Sequence, residues 1–576
     1  MEDSLPVPSH AVASRPAPAL LFLAATISVL AALSPRDLWA PDAPRYGRIA
    51  HEMVASGDWL VPHLNGYAYP EKPPLVFWLQ ATVERVSGDP SPIGARLPSA
   101  ILAALAVLLT ARIARRWFDD RALGDTAGIL FATMGLVLWN GSWGGLDLPL
   151  TAFALLALDG GTSVVLHRSW WGALRLGLGL GLGFLTKGPH ALYVPVGAIL
   201  GGALASGRAR RLLDPRLFLG LLLGTGILLA WLLPALEHAG NETTASGDAY
   251  GERLLGQIGT RLSGGEEPHD HPFWYLVPVL LAVALPWTPF AAIGAVAAVK
   301  ARVARVEDRF GLGAALGGII LPLVLLSVPT SKRETYLIPL LPCIAALAAF
   351  AMHRLDSLRG VRASTRGIAA ALALLALLAF AVPLLAMWSP SADLFEVGGL
   401  AIMAVGSYRV ALLAAWALAT AGAVGAFRLR DRPAGAARVA AVALAAVYVL
   451  ASHLLLPALD PTKSFAEVAA VADREAPDAP FVIAGTSDVS ALWNFKRDRA
   501  TVLAEGRVYA ELAQLLTLRG RPVVLALVKG KLWEERAKRL VGPNDREILE
   551  ALNRARILWA KSVGGSSWYL LTNAGP

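Results

Sequence analysis

The sequence predicts an α-helical polytopic membrane protein of about 13 transmembrane helices, followed by a small α/β domain outside the membrane. Three observations carry this. The chain of 576 residues is 55% hydrophobic and 16% charged, with a mean hydropathy of +0.53, outside the range of soluble globular proteins. Its basic residues cluster between apolar runs, in alternate connections. After about residue 458 the composition returns to ordinary polarity.

Runs long and apolar enough to cross a bilayer fall near 17–34, 95–113, 123–140, 148–166, 171–186, 189–206, 217–236, 273–299, 312–329, 336–352, 367–388, 397–426 and 437–457. The loops at 112–121, 208–216, 300–309, 354–366 and 428–438 each carry four basic residues, and those at 141–147 and 389–396 carry none. By the positive-inside rule the N-terminus is then cytoplasmic. The first span also fits a signal peptide, since Arg15 precedes it and Ala31-Ala32 closes it. Three segments stand on the outer side: a loop at 35–94, a second at 237–272, and the tail from 458. In the tail, strand-like pieces at 481–485, 521–528 and 567–572 alternate with helix-like stretches at 464–475, 507–518 and 531–555. The division is thus a membrane part, 1–457, and an outer domain, 458–576.

The net charge of +9 belongs to this topology, and nucleic acid is excluded as a partner because the basic residues lie in short inter-span clusters. The single cysteine, Cys343, lies inside an apolar run, which leaves neither a disulfide nor a cysteine metal site. No nucleotide-binding glycine loop is present, so no nucleotide cofactor is expected.

The chemistry concentrates in the first outer loop. Asp42 stands where a helix N-cap belongs, with Pro44 just inside, so capping is one reading of it. The helix it opens carries Ile49, Met53 and Val54 on one face, suited to lying in the membrane interface. Arg45 follows, and Lys72 is locked between Pro70 and Pro73-Pro74, beside Glu71. Two cations at the membrane plane suit a lipid phosphate, Arg as a fork and Lys as a point charge. Attraction to anionic lipid is the plainer reading of a loose Lys, but a diffuse contact needs no proline-fixed backbone.

Further ionisable groups fall at outer span ends: Asp147, Lys187, and Lys332 with Arg333 just before Tyr336. Charges at membrane depth are costly and therefore functional candidates. Helix capping for Asp147 and interface anchoring for Lys332 and Arg333 stay open. In the second outer loop His269, Asp270 and His271 follow Glu266 and Glu267, a set with nitrogen and oxygen ligands for Zn²⁺ or another divalent metal, and equally a solvated turn.

The stretches 42–46, 57–66, 69–74, 146–151, 185–189 and 332–339 resemble, in order, the bacterial 4-amino-4-deoxy-L-arabinose transferases and the protein O-mannosyltransferases, C-type membrane glycosyltransferases. The resemblance implies that fold for residues 1–457, with 35–94 as the catalytic loop. It implies inverting sugar transfer from a polyprenyl-phosphate donor to an envelope lipid or protein acceptor, at the periplasmic face of the bacterial inner membrane. Asp42 matches the family's first-loop aspartate and Asp147 its second cavity aspartate. Arg45 and Lys72 match the residues that hold the lipid phosphate, and Tyr336 a donor-facing tyrosine. Tyr69, Lys187, Lys332 and Arg333 are expected in the substrate cavity. Glu71 matches a metal-associated carboxylate, which His269 or His271 would complete. The family often has Glu after its first-loop aspartate, where this chain has Ala43. A lipid or sugar transporter is the rival class, predicting paired repeats and mid-membrane charges, whereas these charges collect at outer span ends.

Overall fold

The computed structural model describes residues 17–263, 271–300, 306–388, 405–495, 497–503, 508–517, 523–542 and 545–573. Each expected apolar segment falls on a helix or a bent helix pair, the 397–426 segment being described from Val405 onward. Among the described residues, eight helices are long and apolar enough to cross a membrane; two bent pairs, Arg121–Ala132 with Gly135–Gly141 and Leu276–Val283 with Thr288–Val299, raise this to ten. Pro18–Ala32 and His190–Ala205 are apolar but shorter. The Gly-rich stretch divides as expected at 188–189, into Trp170–Lys187 and His190–Ala205.

Small residues let these helices approach closely, since lipid supplies no hydrophobic drive between them. The tightest approach joins His190–Ala205 to Val306–Ser327: a Cβ on Gly317 would stand 2.1 Å from the carbonyl oxygen of Gly197, and one on Gly201 would stand 2.3 Å from that of Gly313. The helix Asp147–His167 runs through the middle of the bundle and is buried along most of its length.

The loop at 35–94 is packed against protein. The helix Asp42–Ser56 buries Tyr46, Ile49, Ala50 and Met53 against Val76, Phe77 and Ala81 of the helix Leu75–Ser87. Its apolar face, expected to lie in the membrane interface, is therefore an internal core. A short hairpin of β1 (His63–Leu64) and β2 (Tyr67–Ala68) links the two helices, turning at Asn65 and Gly66, both at positive φ.

The tail forms a mixed five-stranded sheet in the order β4-β3-β5-β7-β6, with β3 (Phe481–Ala484), β4 (Ala500–Leu503), β5 (Leu525–Lys529), β6 (Arg556–Val563) and β7 (Ser566–Thr572). The strands β4, β3 and β5 are parallel; β7 runs antiparallel to β5. Along β3 the side chains alternate between two cores. Phe481 and Ile483 join Val468 and Ala472 of the helix Ala466–Glu475, while Val482 and Ala484 join Leu512 and Ala513 of Val508–Thr517. The expected helix over 531–555 is instead three short helices, Gly530–Glu534, Arg536–Arg539 and Asp545–Asn553.

Packing at the glycine contact gives a direct test. Gly317→Ala should lower the melting temperature of the detergent-purified chain by several degrees, because backbone must move to admit the methyl group. Gly226→Ala, in a helix position with open space around it, should leave it unchanged.

Candidate functional site

Asp42 is the first residue of its helix, but Pro41 holds the cap position and no side chain caps the helix end. The carboxylate turns instead to arginine. Its Oδ2 accepts from Arg333 Nη1 at 3.1 Å, and its Oδ1 stands 3.8 Å from Arg45 Nη1. Arg45, one helical turn on, reaches three ways. Besides Asp42 it interacts electrostatically with Tyr69, and its Nη2 donates to Asp488 Oδ1 at 3.4 Å. Burial opposes the charge on Arg45, yet Tyr69, Asp488 and Asp42 around it hold its pKa above the ordinary arginine value. Burial and the neighbouring carboxylates push the phenols of Tyr46 and Tyr69 upward, so both stay neutral.

A second cluster forms where three spans end. Asp147 opens the helix Asp147–His167 without capping it, and its Oδ1 accepts from Lys187 Nζ at 2.5 Å. The Lys187 ammonium also lies 4.7 Å from the ring centre of Tyr336, a cation–π contact. These residues line a cleft with His190, Tyr193, Pro322 and Leu326. Tyr46, which feels both Asp42 and Asp147, and the Arg333–Tyr336 turn join the two clusters. The site is thus assembled from the first loop, three span ends and the tail.

Other expected site residues lie differently. Lys332 is only 2% exposed, and its ammonium donates to the carbonyl oxygens of His271, Pro329 and Thr330. That arrangement staples two loops. His271 stacks on Tyr275 with ring centres 3.8 Å apart. In the proline-clamped turn, Pro74 holds the cap position of the helix Leu75–Ser87, Tyr69 N–H donates to the Pro62 carbonyl, and Lys72 Nζ donates to the Glu71 carbonyl at 3.0 Å. The Glu71 Oε2 is buried without a hydrogen-bond partner among the described residues. His269 lies outside the described residues, and among the described residues no group of three His, Cys, Asp or Glu is arranged to hold a metal ion.

A family model described as dolichyl-phosphate-mannose-protein mannosyltransferase matches residues 71–233. An undecaprenyl phosphate-alpha-4-amino-4-deoxy-L-arabinose arabinosyl transferase of Pseudomonas aeruginosa is 32% identical over 330 residues, 56% of this chain and 57% of that protein. The family resemblance read from the motifs is borne out. A second transferase of that name, from Sodalis glossinidius, is 31% identical over 312 residues, 53% of this chain and 54% of the relative. The chain thus spans about half the length of the curated relatives it matches. The crystal structure of ArnT from Cupriavidus metallidurans bound to undecaprenyl phosphate superposes with a TM-score of 0.74 at 20% identity, over 97% of this chain and 99% of that one. The fold, tail included, is shared with that protein.

Asp488 is the residue the sequence reading missed. It lies 443 positions from Arg45, and the only signal was its place just after a strand-like run, where α/β domains put their working loops.

The Asp147–Lys187 pair has a stability signature. Lys187→Met should destabilise the chain by about 1–3 kcal/mol by stranding a partly buried carboxylate, and Lys187→Met with Asp147→Leu should recover part of it in thermal unfolding. Equal losses in the single and double variants would contradict this.

Proposed function

We propose that this chain is an inverting membrane glycosyltransferase. It moves a sugar, aminoarabinose-like or another glycose, from a polyprenyl-phosphate donor to lipid A or another envelope acceptor. The observation that carries this is the constellation of Asp42 between Arg45 and Arg333, with Tyr69 on Arg45, at the outer ends of the spans. The relatives named above as undecaprenyl phosphate-linked arabinosyl transferases support it. Transport would need a charged path at mid-membrane, and the Asp42 cluster lies in an outer loop instead. In this reading the chain crosses the bacterial inner membrane about thirteen times, N-terminus cytoplasmic. The membrane part, 1–457, presents its loops at 35–94 and 237–272 to the periplasm, as it does the α/β domain, 458–576.

In the transfer, the bond between the sugar's anomeric carbon and the lipid phosphate breaks as the acceptor oxygen bonds the opposite face. Charge grows on the departing phosphate, and the guanidinium of Arg45 and the ammonium of Lys72 stabilise it. Asp42, held in place by Arg333, orients the acceptor hydroxyl and takes its proton. Asp147, Lys187 and Tyr336 line the cleft that seats the sugar or lipid, and enclosure of both substrates supplies the rest through proximity. A divalent metal such as Zn²⁺ belongs to the family expectation. The buried Glu71 Oε2, which has no hydrogen-bond partner among the described residues, offers it one oxygen, but the described residues do not form a full site, and no step is assigned to it. A protein acceptor is the second reading, favoured by the family model over residues 71–233.

With purified chain and an undecaprenyl-phosphate-linked sugar, Asp42→Asn and Lys72→Ala should each cut transfer by about 10²–10⁴-fold while the protein stays folded and inserted. Full activity in both variants would refute the enzyme reading. Mass spectrometry of lipid A and of glycosylated proteins, with and without the gene, assigns the acceptor. Unchanged lipid A would remove the arabinose-to-lipid A option.

A further inference from the structure

Asp488 reaches Arg45 from a loop that is built to hold it. The loop leaves the carboxyl end of β3, where parallel strands deliver functional side chains. Gly485 turns the chain at positive φ, and its N–H donates to Leu503 of the neighbouring β4. The Asp488 N–H donates to Thr486 Oγ1, and Asp488 Oδ1 accepts the Ser490 N–H at 3.0 Å, a turn that fixes the carboxylate's direction. Beyond it, the short helix Ser490–Trp493 is fastened to the first outer loop. Trp493 Nε1 and Asn494 Nδ2 donate to the two carboxylate oxygens of Asp37, and the Trp493 ring lies so close to Gly47 that a Cβ there would stand 2.7 Å from it. The loop and the helix Asp42–Ser56 therefore sit in fixed register, and the carboxylate is aimed at one target.

That target is shared. Arg45 Nη1 faces Asp42 at 3.8 Å, while Nη2 is drawn to Asp488 at 3.4 Å. Without the second carboxylate, only Tyr69 beside Arg45 and the Arg333 hydrogen bond to Asp42 Oδ2 would hold Arg45 back from a fork-to-fork pairing with Asp42, the strongest arrangement open to the two groups. Such a pairing would take the phosphate-binding cation and the acceptor-orienting carboxylate out of use together. Building on the function proposed above, we infer that Asp488 of the α/β domain is a positioning residue: it holds the Arg45 guanidinium off Asp42 and presents it to the lipid phosphate. The outer domain is then part of the donor site.

The test titrates the detergent-purified full chain with undecaprenyl phosphate. Asp488→Asn should weaken binding roughly three- to ten-fold, the size of one partly exposed charge-assisted contact, with an unchanged melting temperature. Asp488→Glu should restore it to within about two-fold, and Asp488→Asn combined with Arg45→Ala should lose less than the two single effects together. Removing a nearby anion would by itself tighten phosphate binding. Equal or tighter binding by Asp488→Asn therefore overturns the inference, as does strict additivity with Arg45→Ala. If the unaltered chain does not bind undecaprenyl phosphate at all, the proposed function falls and this inference with it. If it binds and only the Asp488 variants behave like the parent, the inference alone falls.

Discussion

The whole site depends on how one carboxylate is shared. Asp42 takes a hydrogen bond from Arg333 and stands within ion-pair range of Arg45, and Arg45 is in turn shared with Tyr69 and Asp488. These groups come from the first loop, the turn before the helix Leu341–Arg354, and the tail. Each is partly buried, so leaving any one unmatched would cost more than an exposed pair gains. Matching them fixes where the three parts meet, and the charged groups are held in place by partly satisfying one another.

Around this centre the chain supplies rigidity by different means on each side of the membrane boundary. Within the bundle, glycine pairs such as Gly197 with Gly317 bring helix backbones into contact. Outside it, aromatic and aliphatic side chains of the helices Asp42–Ser56 and Leu75–Ser87 form their own small core, closed by Tyr69 and Leu146. Lys332 staples the turn before Arg333 by filling three carbonyl oxygens with its ammonium, which positions Arg333 from behind.

Much of the fold was legible because a membrane span leaves a long apolar signature that loops cannot imitate. Thus the Gly-rich stretch resolved into two helices at Gly188-Pro189, where proline and a glycine at positive φ interrupt the run. The strands β4 and β6 were not legible. The first is a four-residue edge strand, and the second carries Arg556 and Lys561 on an exposed edge, so its pattern is weak. At the site, ionisable residues at span ends could be named from cost alone, but their pairing could not. Asp42 and Asp147 each read equally well as helix caps, and only three-dimensional placement turned them toward Arg333 and Lys187. Lys332, one residue from Arg333, reads the same in sequence yet gives its ammonium to loop carbonyls, while Arg333 donates to Asp42. Asp488 carried no charge pattern of its own, because its meaning arises wholly from a contact between distant segments.

In the proposed reaction Arg45 and Lys72 form the cradle for a lipid phosphate beside Asp42. A structure of the purified chain with bound undecaprenyl phosphate tests it most directly. The account predicts phosphate oxygens within about 3 Å of the Arg45 guanidinium and the Lys72 ammonium, with Asp42 facing the open side. A phosphate seated elsewhere, with Arg45 still closed between Asp42 and Asp488, would contradict it.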